Sequence, residues 1–486
     1  MKRINTVAIF LISGFFLLFF SMCNSNRSSN ADAVEQQANR ADITNPANRY
    51  YQLSADLNLP VVTQIPNYKN NDSLIAFLQG KADTFSWRSF IAINWPANKN
   101  GMPDTTKSFG QASDFTVFEH WMPSTNLYVK PGETPKEWNY GLMDNKYPSN
   151  SGAITDFRII PKFESIDKTS ADNLPVVDVH GKYTLFEIFY NKQAYDYVTQ
   201  GKLYSKEGQQ EFVKTWPSLT KGLKVTEKGK PIGIEETYKR AYFSVGTTVD
   251  STIVQGDRTY YFTHNTGTVI IKTGWKLFAP TDDKSRYFTR KVTIKSGEEI
   301  DVGLVAMHIA HKVSEATQWV WSTFEHIDNA PDMADDGTAI IEDGVNYSYF
   351  NKEKDNPATY NMPTDSSLYF NGRQRKPAQV VRLNKIEEST EKVNDYFRNT
   401  IKKYQPNAVW QYYKLVGTQW PFEFELFTPG GDYTPKLLAN TVLETFIQNT
   451  SSCMDCHSKA RFLYNDPASR GAGYNADFVW GLANAK

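Results

Sequence analysis

The chain has 486 residues, of which 53 are Lys or Arg and 53 are Asp or Glu, so its formal net charge is zero. A balanced charge gives no argument for nucleic acid or an anionic surface as a partner. The length allows a large hydrophobic core and two or three domains.

The N-terminus has the pattern of an export signal. Two basic residues precede an apolar run over residues 7–20, which suits a signal peptide better than a membrane-spanning helix of about 20 apolar residues. We therefore predict a signal peptide over residues 1–22. The residues before Cys23 resemble a bacterial lipobox, with departures at Phe20 and Met22, and predict lipidation of Cys23. The alternative is ordinary cleavage nearby, which leaves a soluble periplasmic protein.

Residues 23–50 are polar, with few apolar side chains, and are predicted to form a flexible tether. With a lipid on Cys23, the tether would hold the protein to a membrane. The predicted location is the cell envelope, with the chain facing the periplasm or the exterior.

Residues 51–430 are predicted to form a β-rich body with a few helices. Short runs rich in β-branched and aromatic residues, at 258–262, 268–277 and 286–294, are separated by Gly, Asn, Asp and Pro. Helical spacing of apolar residues occurs at 207–216 and 385–402. The predicted fold class is α+β.

Residues 302–312 contain two histidines and a methionine, His308, His311 and Met307, in an apolar run. As a helix, the run would put both histidines on one face. As a strand, it would turn them to opposite faces. The apolar, β-branched content favours a strand.

Near the C-terminus, Cys453, Cys456 and His457 form the sequence C-x-x-C-H, the attachment motif of c-type haem. The two thiols are spaced to bind one porphyrin covalently, and His457 is placed to ligate its iron. A thioredoxin-like redox disulfide fits the sequence less well, because no βαβ pattern is found around the motif. A structural zinc site would need a second ligand pair, and the chain has only three cysteines. We predict one covalent haem c, held by residues 431–486.

No second C-x-x-C-H occurs, which excludes a multihaem wire. Apolar residues at helical spacing over 435–449 predict a helix that leads directly to the motif.

The sixth ligand of the iron is not evident near the motif, because residues 458–486 contain neither Met nor His. Either the body supplies it or the position is open. His308 is the first candidate distal ligand, Met307 the second and His311 the third.

These alternatives separate two functions. A firmly held sixth ligand favours an electron-transfer cytochrome that works with a redox partner protein, which is the preferred prediction. An open iron facing a pocket in the body would favour a haem-dependent oxidoreductase, peroxidase- or oxidase-like, and the size of the body supports this alternative.

Five segments, at 85–96, 269–276, 307–312, 319–329 and 440–446, together with the haem motif, resemble a group of secreted bacterial proteins called cytochrome c family proteins. The likeness spans most of the mature chain, and C-x-x-C-H is its specific part. The resemblance implies a haem-bearing envelope protein with a large non-cytochrome body, and it implies no substrate.

Overall fold

The computed structural model describes most of the chain after residue 70. The described ranges are 71–138, 176–214, 224–227, 230–231, 241–246, 251–255, 258–262, 266–293, 299–313, 316–363, 376–421, 433–464 and 466–486. All of them belong to one compact unit, Ala55–Lys486. The predicted signal peptide, the tether and Cys23 lie outside the described residues. No helix in these ranges is long and apolar enough to cross a membrane.

The described residues form an α+β fold, as predicted from the sequence. The α-helices are α1 (Asn71–Ile93), α2 (Ser124–Leu127), α3 (Lys192–Gln200), α4 (Lys206–Lys214), α5 (Glu388–Tyr404) and α6 (Cys453–Ser458). The strands are β1 (Met122–Pro123), β2 (Leu185–Tyr190), β3 (Lys224–Glu227), β4 (Lys230–Pro231), β5 (Ser251–Gln255), β6 (Arg258–Phe262), β7 (Val269–Leu277), β8 (Thr289–Thr293), β9 (Glu299–Val313), β10 (Ala316–His326), β11 (Asp332–Met333), β12 (Ala339–Ile340), β13 (Tyr413–Pro421), β14 (Tyr433–Thr434), β15 (Arg461–Phe462) and β16 (Tyr474–Asn475).

Eight of these strands form one antiparallel sheet in the order β1-β2-β7-β9-β10-β13-β14, with β8 paired to one end of β9. A separate four-stranded sheet has the order β4-β3-β6-β5. The predicted strands at 258–262, 268–277 and 286–294 correspond to β6, β7 and β8, and the two predicted helices correspond to α4 and α5. Residues 302–312 lie within β9 and are therefore a strand, as the sequence favoured.

The register of the large sheet assigns its side chains to two faces. Ile188, Lys272, His308, Thr323 and Gly417 lie opposite one another across β2, β7, β9, β10 and β13. Residues directly opposite in an antiparallel pair project to the same side of the sheet. This row therefore defines one face, which we call the segment face, and the alternate residues of each strand define the other, which we call the helix face.

Helix α1 covers the helix face. The Ser86 hydroxyl lies 2.6 Å from the hydroxyls of both Ser322 and Thr418. The Phe90 ring stacks on the Phe324 ring with 4.3 Å between centroids. The indole N–H of Trp87 donates to the Asn394 side chain of α5 at 2.9 Å, and Asn394 also bonds to the Leu415 backbone of β13, so α1 and α5 pack side by side on this face.

The C-terminal segment, residues 433–464 and 466–486, packs on the segment face. Gly417 leaves room for it, because a Cβ there would lie 2.9 Å from the Leu438 side chain. The Asn440 amide donates to the Thr323 hydroxyl and to the Phe324 carbonyl, each at 2.9 Å. Packing and hydrogen bonds thus fix this segment to the centre of the sheet.

The predicted helix over 435–449 is wrong, because these residues form turns. The side-chain oxygen of Asn440 accepts from the backbone N–H groups of Val442 and Leu443. Glu325 of β10 accepts from the N–H and the hydroxyl of Thr441, at 3.2 and 2.8 Å. Such side-chain bonds compete with a helical hydrogen-bond ladder. Of the apolar residues at helical spacing, Leu438 and Val442 are buried and Phe446 and Ile447 are half-buried, within turns and irregular chain and not in a helix.

Candidate haem-binding site

The C-x-x-C-H motif forms helix α6, which is fixed to strand β13 by Gln419. Ser452 caps the helix by accepting from the Asp455 N–H at 3.1 Å. The buried Gln419 side chain accepts from the Met454 N–H and donates to the Pro435 carbonyl, both at 2.7 Å. The first-turn N–H groups of a helix need partners outside the helix. Gln419 provides one of them from the sheet and so sets the position of α6.

Both thiols of the motif are accessible. Cys453 is half-buried, Cys456 is exposed, and neither is in a disulfide. Their spacing of three residues puts them on neighbouring positions of one helix surface, while Met454 between them is buried in the core. Met454 thus packs α6 against the core, while Cys453 stays partly exposed and Cys456 exposed, as covalent attachment of a porphyrin requires.

His457 is oriented by a backbone carbonyl. Its Nδ1 lies 2.7 Å from the carbonyl oxygen of Phe478, and its ring lies 4.3 Å from the Trp321 ring. A carbonyl oxygen only accepts, so the hydrogen is on Nδ1 and the lone pair is on Nε2. Burial of the ring lowers the pKa of His457 to about 4, and the hydrogen bond to the Phe478 carbonyl, which raises the pKa, offsets only part of this effect. The imidazole is thus neutral and in the tautomer that binds metal through Nε2.

His308 projects from the segment face beside His457. In the sheet it is diagonal to Trp321, the residue on which His457 packs. Its Nε2 lies 3.2 Å from the Glu444 carboxylate. His308 contacts Glu444 and shares the segment face with Trp321, so both lie on the side of the sheet where His457 packs.

The segment face is incompletely covered at this point. His308, Lys272, Ile188 and Ile270 lie on central strands of the sheet, yet each is only half-buried. Side chains at the centre of a sheet under a second layer are normally buried. These four half-buried residues, two apolar and two basic, mark a part of the segment face that is only partly covered, which we call the cleft.

Met307 and His311 project to the helix face instead. The Met307 sulfur accepts from the side-chain amide of Asn94, the residue after α1, at 3.8 Å. The His311 ring stacks on Phe85 at 5.2 Å, and its Nε2 lies 2.7 Å from the Thr266 carbonyl. Burial lowers the pKa of His311 to about 4. The sheet separates both residues from His457, so His308 is the one of the three candidates that the structure brings next to it.

The residues around His457 fit a haem group by their donor chemistry. A neutral imidazole with its second nitrogen hydrogen-bonded to a carbonyl is typical of a metal-ligating histidine. Among the residues that the structure describes, no three His, Cys, Asp or Glu side chains cluster closely enough to hold a metal ion by themselves.

Three participants were missed from the sequence. The acceptor for His457 is a main-chain carbonyl, which no residue type reveals. Trp321 and Glu444 come from β10 and from a turn, and only the register and the packing of the C-terminal segment bring them to His457.

Comparison with known proteins adds no assignment, because no protein-family model, no curated protein and no solved structure matches this chain.

Proposed function

We propose that this protein is a c-type monohaem cytochrome of the bacterial cell envelope that transfers electrons through one covalently bound haem. The observation that carries the proposal is the orientation of His457. Its Nδ1 donates to the Phe478 carbonyl, on a helix whose two cysteines are accessible. One covalently bound haem would account for all three residues of the motif, the two cysteines and the histidine.

The proposed roles of the residues follow from their chemistry. Cys453 and Cys456 would form thioethers with the porphyrin, and the Nε2 of His457 would bind the iron on one side. His308 would be the distal ligand, supplied by the body. Haem c supplies one-electron chemistry between the ferric and ferrous states. Ile188, Ile270 and Trp321 would limit the access of water to the ring, and burial and ligand identity are the means by which a protein sets the reduction potential.

The export signal and Cys23 support a lipid-anchored protein that faces the periplasm or the exterior. Electron transfer then requires a redox partner protein in the same compartment. The balanced charge of the chain gives no reason to include nucleic acid among its partners.

A second function is favoured by the contact between His308 and Glu444. If His308 keeps this carboxylate as its partner at 3.2 Å, the iron would have an open position, and the pair would be placed to accept and return a proton. The protein would then be an oxidoreductase that acts on peroxide, oxygen or an organic substrate in the cleft.

The visible spectrum of the matured protein tests both functions. We expect sharp low-spin bands after reduction with dithionite and no change with carbon monoxide. His308→Ala should convert the spectrum to a high-spin form that binds carbon monoxide. The matched control is His311→Gln, on the helix face, which should leave the spectrum unchanged. A high-spin wild-type spectrum that shifts with carbon monoxide would favour the oxidoreductase, and the absence of covalent haem would refute both.

A further inference from the structure

The backbone that orients His457 is held in an unfavourable conformation. Asp477 and Phe478 have φ values of 52° and 67°, in the left-handed region that L-residues other than glycine seldom occupy. Aspartate tolerates this region better than a bulky phenylalanine does. Such residues persist only where the surrounding structure fixes them, and they are frequent at functional sites.

Lys312 of β9 fixes this turn through a buried ion pair. Its Nζ contacts the Asp477 carboxylate, and both side chains are almost completely buried. The same carboxylate oxygen accepts from the Phe243 N–H at 2.7 Å, and the Asp477 N–H donates to the Asn475 side chain at 2.8 Å. Three separate bonds therefore hold Asp477.

The Lys312 ammonium is also surrounded by fixed groups, as the Asp477 carboxylate is. The Lys312 ammonium lies 3.6 Å from the centre of the Tyr242 ring and 5.6 Å from that of the Trp319 ring. Aromatic faces attract a desolvated ammonium, and a buried charge without its partner is strongly destabilising. Neither member of the pair can therefore move alone, so Asp477 stays where Lys312 holds it.

Strand β9 consequently contacts the proposed haem site at two places. His308 and Lys312 are four residues apart and project to the same face of the strand. His308 lies on the same face as Trp321, whose ring contacts His457, whereas Lys312 holds Asp477, the residue before the carbonyl that accepts from His457.

We propose that Lys312 and Asp477 are positioning residues for the proximal histidine, and that their ion pair sets the strength of the hydrogen bond from His457 to Phe478. This inference rests on the proposed haem function. A firm bond from Nδ1 makes the imidazole a more basic ligand, and a more basic ligand stabilises the ferric state. Loosening the turn should therefore raise the reduction potential.

The test compares two buried lysines of the holoprotein. Lys312→Met removes the charge while it keeps the length of the chain. Lys276→Met is the matched control, because Lys276 is also buried, also pairs with an aspartate, Asp282 at 3.2 Å, and also lies over aromatic rings. Its partners do not belong to the C-terminal segment. We expect a positive shift of the midpoint potential in Lys312→Met and none in Lys276→Met.

A second variant keeps the test valid if Lys312→Met does not fold. Lys312→Met combined with Asp477→Asn leaves no unpaired charge, and neutral replacement of a buried ion pair is often tolerated. Asparagine also accepts the left-handed conformation. This double variant should fold with the same haem content as wild type and still show the positive shift.

Vibrational spectroscopy provides a readout that general destabilisation does not move. In the ferrous His308→Ala background, the stretching frequency of the iron–histidine bond should fall when the Lys312 pair is removed, and it should not fall with Lys276→Met. An unchanged potential and frequency in a haem-loaded double variant would overturn the positioning role. A wild-type protein without covalent haem would instead overturn the haem function itself, so the two failures are distinguishable.

Discussion

Gln419 connects the sheet to the haem motif, and its replacement by leucine gives the sharpest test of how α6 is held. The substitution preserves the approximate volume and removes every side-chain hydrogen bond. The Met454 N–H then lacks its acceptor and the Pro435 carbonyl lacks its donor. Leaving a buried polar group without a partner costs about 1–3 kcal/mol. Met454 is buried, whereas Pro435 is half-buried and its carbonyl can bond to water, so we expect a loss of about 1–3 kcal/mol in the free energy of unfolding.

Two measurements separate the local effect from the general one. Urea denaturation gives the free energy of unfolding. The absorbance of the haem–pyridine complex gives the fraction of chains with covalent haem. Gln411→Leu is the matched control, because Gln411 is also buried and its amide donates to two carbonyls, at 2.7 and 2.9 Å, with no contact to α6. We expect both variants to lose stability, and only Gln419→Leu to lose haem attachment in addition.

Equal haem content in the two variants would refute the reasoning. It would mean that α6 presents its thiols without the bond from β13. A loss of less than about 1 kcal/mol in Gln419→Leu would refute it in another way, because it would show that water or a neighbouring group replaces the missing partners.

Three further predictions concern the sheet beneath the site. Burial raises the pKa of Asp83 in α1 to about 6, against the weaker opposing effect of hydrogen bonds from Thr390, Thr418 and Gln79. The folded state thus binds the proton more tightly than the unfolded state does. The protonated Asp83 therefore stabilises the folded state fully below about pH 4, and this stabilisation is lost as the pH rises through 6. The difference in unfolding free energy between wild type and Asp83→Asn should therefore change by about 2 kcal/mol between pH 4 and 7, at about 1.4 kcal/mol per unit of the pKa shift that falls in this window, and a constant difference would disprove it. Met307→Leu should leave the spectrum unchanged and cost less than about 1.5 kcal/mol in urea denaturation, whereas a changed spectrum would mean that Met307 reaches the iron. Gly417→Val should lower the free energy of unfolding by about 1–3 kcal/mol, because its side chain overlaps with Leu438. Adding Leu438→Ala should remove the overlap, so the double variant should lose less stability than the sum of the two single variants. A loss equal to that sum would contradict the prediction.

The parts of the fold that the sequence predicts are those with a local signal. β6, β7 and α5 follow from runs of β-branched residues and from helical spacing. The strand over 302–312 follows from its apolar, β-branched content, and its period of two already implies that His308 and His311 lie on opposite faces. The haem motif is also local, because its three functional residues fall within five positions.

The parts that the sequence does not predict depend on partners distant in the chain. Residues 435–449 have helical spacing but form turns, because Asn440 and Thr441 bond to β10, more than a hundred residues earlier. Periodicity alone could not choose between His308 and Met307 as the residue that faces His457. That choice needs to know which face the C-terminal segment covers, and this depends on non-local packing.

The same non-local packing bears on the choice between the two proposed functions. His308 and Glu444 belong to β9 and to the C-terminal segment, so their separation is set by the bonds that hold that segment to the sheet, including those of Asn440 to β10. If His308 is to bind iron through Nε2, it must exchange the carboxylate for the metal. Glu444 would lose its contact with His308 in that exchange but would still accept from the Asn440 N–H at 3.1 Å. Ligation by His308 is therefore compatible with the hydrogen bonds of the C-terminal segment, and the proposed electron-transfer cytochrome requires this exchange of partners, whereas the proposed oxidoreductase does not.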